Sequence, residues 1–406
     1  LHMSQTKKRT RIGIFGTWRG SSFISNCEAM TDDFELVALC DKNEKTLNDA
    51  LSRVKGEVKT FSDFDEFIEC GLDAVILANY FHEHAPYAIR CLERGIHVFS
   101  ECTSASTLAE CTALCDAAEK SDAVYMIAEN YPFSAANLEL QRLAMSGKLG
   151  KILYGEGEYN HGCDRETLRR LTPGKYHWRG WMPRTYYCTH ALGPLMHMTG
   201  AMPVKVSARA VHSDVLETYD DFRHNYDAYA MMDVSMDDGS MFNVTGCAAI
   251  PSPSRYRIVG EYGSAETGGH LDGKVRKYYY PWETPEGESN DFYAPEWPFN
   301  AEMASAAGHG GGDFWTLWNF AHAIKKKEQP FFDVYRGCAM SAVGILGWKS
   351  CLNDGATYLI PDFRDKSERD RLAEQYAGFY TATPFPDSEG RGATLPPAVG
   401  RRPCDE

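Results

Sequence analysis

Apolar and polar positions alternate along the chain in two different textures. Up to Ala128, short unbroken apolar runs are separated by stretches whose apolar residues recur three or four apart. Arg11–Phe15, Glu35–Cys40 (ending at Asp41), Ala74–Ala78, Ile96–Phe99 and Val124–Ala128 read as strands, with Val58–Phe61 a shorter one. A strand covered on both faces loses its polar alternation, which is how the strands of a parallel sheet read. Between them the spacing predicts a helix-like segment ending at Met30, then helices over Lys45–Lys55, His84–Arg94 and Ser106–Lys120. This alternation predicts an α/β domain over residues 1–130, built on a doubly wound parallel sheet.

Beyond Asn130 the texture changes. Ser134–Ser146 has helical spacing, and then strand-like runs follow one another: Lys151–Tyr159, Pro203–His212, Ala228–Met236, Ser240–Cys247 and Arg255–Glu261. Asp237-Asp238-Gly239 between two of them is a hairpin turn signal. Consecutive strands joined by turns form antiparallel sheets, so residues 131–362 read as an α+β domain with a mainly antiparallel open sheet. Phe314–Lys326 and Val334–Cys351 return to helix. From Phe363 the chain becomes charged, then rich in Pro and Gly from Thr381. Residues 363–406 are therefore expected as a loosely ordered tail or an arm packed on a neighbouring subunit.

The 406 residues suffice for two domains, each with its own core. Hydrophobic and charged contents of 43% and 24% are those of a soluble globular protein. No apolar run approaches the roughly 20 residues of a membrane span. Leu1–Arg11 is polar and basic, unlike a secretory signal, and Leu1-His2-Met3 reads as a cloning remnant. A net charge of −14 argues against nucleic acid or an anionic membrane as partner. The 13 cysteines are scattered without zinc spacing. Several, such as Cys40, Cys91 and Cys247, lie in or beside apolar runs, as buried thiols do in a reducing cytoplasm.

Candidate chemistry begins at the turn after the first strand, Gly16-Thr17-Trp18-Arg19-Gly20-Ser21-Ser22. It keeps the first glycine of G-x-G-x-x-G, with Trp at the second position and Ser at the third. Following a strand and preceding a helix, it is placed to bind a pyrophosphate on helix N-terminal amides, as a Rossmann domain does. Asp41 closes the second strand, where an acid grips the adenosine ribose hydroxyls and repels a 2′-phosphate. NAD is expected over NADP.

Asn79-Tyr-Phe-His-Glu-His84, with Ala88, Leu92 and Gly95-Ile-His-Val98 after it and Ser100-Glu101 beyond, resembles the Gfo/Idh/MocA family of sugar oxidoreductases over roughly Arg11–Asp362. The resemblance implies a Rossmann domain followed by an open-sheet domain often used for oligomerisation, hence a dimer or tetramer. It implies that Asn79 and His84 line the cofactor cleft, that Glu101 contacts the nicotinamide ribose, and that Asn130 lies at the nicotinamide end. Dehydrogenases of the family read Glu-Lys-Pro where this chain reads Glu101-Cys102-Thr103, so the lysine that polarises the substrate hydroxyl is missing.

Histidines and tyrosines gather in the second domain: Gly155-Glu-Gly-Glu-Tyr159-Asn-His161, His177-Trp178-Arg179, Tyr186-Tyr187-Cys-Thr-His190-Ala-Leu-Gly-Pro194, and Gly308-His309-Gly-Gly-Gly-Asp313. Such groups exchange protons and stack on sugar faces. With Gly16-x-x-Arg19-Gly20, these segments resemble the family's NAD-dependent glycosidase branch, the α-N-acetylgalactosaminidase type. Ala191 and Thr103 stand where that branch has Gly and Pro.

That resemblance implies transient oxidation at sugar C3, loss of the acidified C2 proton with departure of the C1 group, addition of water, and re-reduction. Tyr159 is assigned as the C2 base, helped by cationic neighbours such as Arg179. His190 with Tyr187 handles the C3 hydroxyl proton, while His161, His309, Trp178 and Arg179 bind substrate or assist the leaving group. The spacing specifies no metal. A sugar 3-dehydrogenase releasing a keto-sugar, and a non-enzymatic sugar or cofactor sensor, remain the alternative readings.

Overall fold

The computed structural model describes residues 8–162, 164–172, 177–212, 227–246 and 251–381. Two sheets organise it. The first contains β1 (Thr10–Phe15), β2 (Phe34–Cys40), β3 (Lys59–Phe61), β4 (Ala74–Leu77), β5 (His97–Ser100) and β6 (Tyr125–Ile127). Every pairing is parallel and the order is β3-β2-β1-β4-β5-β6. This is the doubly wound Rossmann order, with its crevice at the carboxyl ends of the central strands. All four residues of β4 are buried, as its unbroken apolar run requires. Helices start where the side chains allow: Asn43 caps Glu44–Leu51, and Thr107 with Glu110 forms a capping box on Leu108–Glu119.

The second sheet holds β7 (Ile152–Glu158), β8 (Pro203–His212), β9 (Asp227–Met236), β10 (Met241–Thr245), β11 (Arg255–Gly260), β12 (Gly263–Gly268), β13 (Val275–Tyr279), β14 (Asp291–Tyr293) and β15 (Tyr358–Leu359). Its order is β14-β13-β12-β11-β7-β10-β9-β8-β15, antiparallel except for β7 beside β10. The turn at Gly239, where φ is 86°, joins β9 to β10 as the Asp-Asp-Gly signal predicts. The helices Ala135–Met145, Thr189–Thr199 and Val334–Leu352 cover one face of this sheet.

The sequence pattern missed β12 to β15 and the helix Thr189–Thr199. It also gave the segment after Phe363 a different character. Lys366–Gln375 is a helix on the chain's own Leu108–Glu119, where buried Arg369 pairs with Asp116 and Glu119 at 3.2 and 2.7 Å. Residues 382–406, the rest of the expected tail, lie outside the described residues, as does Cys247. The ten described cysteines are free thiols, with Cys40 and Cys91 buried. Among the described residues no helix is long and apolar enough to cross a membrane.

Candidate active site

The glycine turn is built by close packing. Gly16 takes φ of 87° and starts the short helix Thr17–Gly20. A Cβ on Gly20 would stand 2.4 Å from Ile14 Cγ2, so Gly20 lets helix and strand meet. The sequence motif gives that task to the third position, occupied here by Ser21. Thr17 is buried and donates its amide and hydroxyl to Asp41 Oδ2 at 2.7 and 2.9 Å, while Asn43 N–H donates to Oδ1 at 2.9 Å. Asp41 therefore braces the turn while also facing the cleft. Thr17 and Gly20 shape the turn from behind.

The cleft between the two sheets has a volume of about 540 Å³. Gly16, Trp18, Arg19, Asp41, Asn79, His84, Glu101 and Asn130 line one part of it, and Tyr159, His161, Trp178, Arg179, Tyr187, His190 and His309 the other. Neither amide atom of Asn79 has a hydrogen-bond partner although both are buried, and Asn130 Oδ1 is in the same position. Buried polar groups are nearly always satisfied, so these atoms fit a polar ligand such as a dinucleotide. His84 is a brace: Nδ1 lies 2.7 Å from Thr103 O and Nε2 3.1 Å from Asn79 O. Burial lowers its pKa, against the pull of those carbonyls.

Arg19 ties the domains together. Its guanidinium reaches Glu101 at 2.8 Å and Asp313, on the helix Gly312–Lys326, at 2.9 and 3.2 Å. His309 Nδ1 and Asn130 Nδ2 also approach the Asp313 carboxylate, at 3.0 and 2.9 Å. Burial pushes the Asp313 pKa up, but His309 and Arg19 together hold it well below the ordinary carboxylate range. Cleft-lining Glu101 and buried Asp313 are thus locked on one cation.

A third carboxylate is bound to an imidazole. Glu129, just beyond β6 and fully buried, meets His190 Nδ1 with both oxygens, at 2.8 and 2.9 Å. His190 Nε2 lies 3.1 Å from the Tyr187 hydroxyl. An imidazole with its proton on Nδ1 donates to Glu129 and accepts from Tyr187, giving a carboxylate–imidazole–phenol relay. Its backbone support is specific. Pro194 lacks the N–H that would bond the His190 carbonyl within the helix, and the Tyr256 hydroxyl donates to that carbonyl instead, at 2.6 Å. A Cβ on Gly193 would lie 2.6 Å from Glu129 Cγ, so only glycine admits the carboxylate here. The Cys102 thiol donates to Glu129 Oε2 at 3.3 Å, and burial holds its pKa well above the ordinary value.

Tyr159 stands edge-on to His190, ring centroids 4.7 Å apart, with Tyr131 packed at 4.6 Å and 4.5 Å from the two. Arg179 stacks 4.3 Å over Trp178 and lies 5.8 Å from the Tyr187 ring. Burial, then Arg179, lowers the pKa of His161; the same two causes, with His82, push His177 down to about 3.

Glu129 escaped sequence reasoning. Its signal was an acid at the carboxyl end of a buried strand, next to Asn130, in the region where doubly wound folds bind ligands. Asp313 lay within a quoted motif but received no role. Three carboxylates are held in or behind the cleft: Glu101 and Asp313 by Arg19, and Glu129 by His190.

Residues 10–129 match the family model described as an oxidoreductase family with NAD-binding Rossmann fold, and 137–266 match the Gfo/Idh/MocA C-terminal domain. Residues 251–368 match the C-terminal domain of glycosyl hydrolase 109. The chain is 27% identical over 391 residues to glycosyl hydrolase family 109 protein 1 of Shewanella sp. strain ANA-3, covering 87% of this chain and 84% of that one. It is 26% identical over 396 residues, at the same coverage, to alpha-N-acetylgalactosaminidase of Shewanella oneidensis. Among solved structures it resembles levoglucosan dehydrogenase in complex with NADH and levoglucosan, with a TM-score of 0.74, 18% identity and coverage of 87% and 100%. Aldose-aldose oxidoreductase from Caulobacter crescentus superimposes with a TM-score of 0.66, at 18% identity and the same coverage.

Proposed function

The chain belongs to the Gfo/Idh/MocA family of NAD-binding oxidoreductases, and from that premise we propose that it hydrolyses a glycoside through transient oxidation at C3 of the sugar. The observation that supports this over simple dehydrogenation is a pair of proton-handling side chains, His190 and Tyr159, in ring contact at 4.7 Å. Alcohol oxidation needs one proton acceptor; elimination across C1 and C2 needs a second, at the adjacent carbon.

NAD, when bound, would supply the acceptor for the C3 hydrogen. Gly16, Trp18, Arg19, Asn79, Glu101 and Asn130 line the part of the cleft that would hold it, and Asp41 would take the ribose hydroxyls. The C3 hydroxyl proton passes through the Tyr187 hydroxyl to His190 Nε2, and Glu129 orients the ring and stabilises the imidazolium. Tyr159 removes the C2 proton, which the C3 carbonyl has acidified, as the C1 substituent leaves. Water adds at C1 and Tyr159 returns the proton to C2. Trp178 offers an apolar face to the sugar ring, while Arg179, His161 and His309 bind hydroxyls or the leaving group. Such a route dispenses with the paired carboxylates of ordinary glycosidases.

The subunits associate as a homo-oligomer through the open face of the second sheet, where Met231, Met241 and Tyr278 are exposed. The function is tested with a panel of aryl hexosides, including an aryl α-N-acetylgalactosaminide, with and without NAD. Aglycone release that requires NAD but accumulates no NADH is expected. Stoichiometric NADH with a keto-sugar product would make the enzyme a 3-dehydrogenase instead.

A further inference from the structure

Three different metal-ligating groups converge beneath the cleft. Cys102 follows β5, Glu129 follows β6, and His190 belongs to the helix Thr189–Thr199. The thiol sulfur, a carboxylate oxygen and an imidazole nitrogen lie within 4.8 Å of one another, and all three residues are buried. Cys102 and His190 also line the cleft, so the trio has one open side. Among the described residues Glu129 has no lysine or arginine partner; its contacts are His190 Nδ1, the Cys102 thiol and the Tyr131 amide. Its one basic neighbour is an imidazole that is charged only when protonated, so with neutral His190 a dication would supply the missing positive charge.

We propose that Cys102 Sγ, Glu129 and His190 Nδ1 form a binding site for a divalent cation of the zinc class. Sulfur, imidazole nitrogen and carboxylate oxygen are zinc's own donor set, and three protein ligands with an open fourth position are the pattern of a reactive rather than a structural centre. The charges balance: a dication, a thiolate, a carboxylate and a neutral imidazole sum to zero. Binding releases the thiol proton to solvent and moves the His190 proton from Nδ1 to Nε2, so one proton leaves per metal bound. In that state Nε2 donates to Tyr187 and no longer accepts a proton, so the metal-loaded protein is an arrested form. This consequence rests on the glycosidase reading; the binding does not.

Binding is therefore measured without sugar or NAD, on protein stripped by a chelator and passed through gel filtration. Zinc should bind at one ion per chain, with release of one proton in buffers of different ionisation heat. Cadmium should produce the near-ultraviolet absorption of a metal–thiolate bond. Cys102→Ser should abolish that band, and both Cys102→Ser and Glu129→Gln should weaken zinc binding by at least roughly 100-fold, the upper end of what loss of a ligand's hydrogen-bonding partner alone costs. Cys351→Ser, at a partly exposed thiol outside the cleft, controls for the other cysteines and should leave the band intact. Far-ultraviolet circular dichroism and a cooperative thermal melt show that Cys102→Ser is folded, independently of the cleft that Cys102 lines. No zinc uptake by the parent, or a cadmium band that survives Cys102→Ser, overturns the site.

Discussion

Glu129 holds His190 Nδ1 with both carboxylate oxygens, at 2.8 and 2.9 Å, and does so from the other domain. The two domains must therefore be in register for the imidazole to present Nε2 to the cleft. Glu129→Gln keeps the shape but replaces one acceptor oxygen by an amide donor, which disfavours the Nδ1–H tautomer. Turnover should fall roughly 10²- to 10⁴-fold, the range of a disabled general base. Steady-state aglycone release, with NAD affinity measured in parallel, checks this. A loss confined to NAD affinity would make Glu129 a binding residue only.

Asp41 is committed twice, to the Thr17 turn and to the cleft. The parent should bind NAD and reject NADP, because a carboxylate at this point repels a 2′-phosphate. Asp41→Ala should weaken NAD binding by about 1.5–3 kcal/mol, the scale of hydrogen bonds to a charged group. It should also lower the melting temperature, since the Thr17 amide loses its acceptor. Equal affinity of the parent for both cofactors in calorimetry would refute the assignment.

Arg19 lines the cleft, and its pair with Asp313 behind it is a stability element. Asp313 is fully buried, and losing Arg19 removes its permanently charged partner, leaving His309 and Asn130 to hold the carboxylate. Arg19→Met should cost about 3–5 kcal/mol of unfolding free energy. Adding Asp313→Asn should recover part of that loss, a coupling that a double-mutant cycle in urea measures. Strict additivity of the two changes would show that the pair contributes nothing.

How much of this was legible follows from what each feature depends on. Strands β1, β2, β4, β5 and β6 are continuous apolar runs because helices cover both their faces, and burial of that kind is written locally. The strand Gly263–Gly268 is not: its Gly, Ser and Glu have little intrinsic strand preference, and its pairing with β11 and β13 makes it a strand. The helix around His190 was hidden by Gly193 and Pro194, residues that break helices unless, as here, one admits Glu129 and the other frees a carbonyl for Tyr256. Histidines and tyrosines of the site could be read from short motifs. The partnership of Cys102, Glu129 and His190 could not, because it arises only when β5 lies beside β6 and the second domain docks over both.

Acid should destabilise the protein through its buried histidines. His197 packs among Phe133, Phe331 and Phe332, and burial with nearby Arg336 pushes its pKa down to about 4. An unfolded histidine titrates near 6.5, so below that pH the unfolded chain binds a proton that the folded one does not. Stability present above about pH 6.5 is then lost toward pH 4, at about 1.4 kcal/mol per unit for this residue. His197→Phe should remove that part of the slope, seen as a shallower dependence of the urea midpoint on pH. An unchanged slope would mean that His197 already protonates in the folded state.

The mechanism stands or falls on the hydrogen at C2. Oxidation at C3 helps a glycosidase only by acidifying C2, so that proton must leave during each cleavage. Reaction in heavy water should place deuterium at C2 of the released sugar while C3 keeps its original hydrogen. Tyr159→Phe removes the hydroxyl but keeps the ring that packs on Tyr131 and His190. Cleavage should drop roughly 10²- to 10⁴-fold, as for loss of a general base. The C3 step, assigned to His190 in the proposed mechanism, should survive in that variant, visible as a single-turnover rise in NADH absorbance. His190→Ala should do the reverse and show no such rise, because the C3 hydroxyl proton has no acceptor. If the parent cleaves its glycoside and the product carries no deuterium at C2, elimination is excluded. The relay of Glu129, His190 and Tyr187 would then serve oxidation alone, and Tyr159 would be a wall of the sugar site.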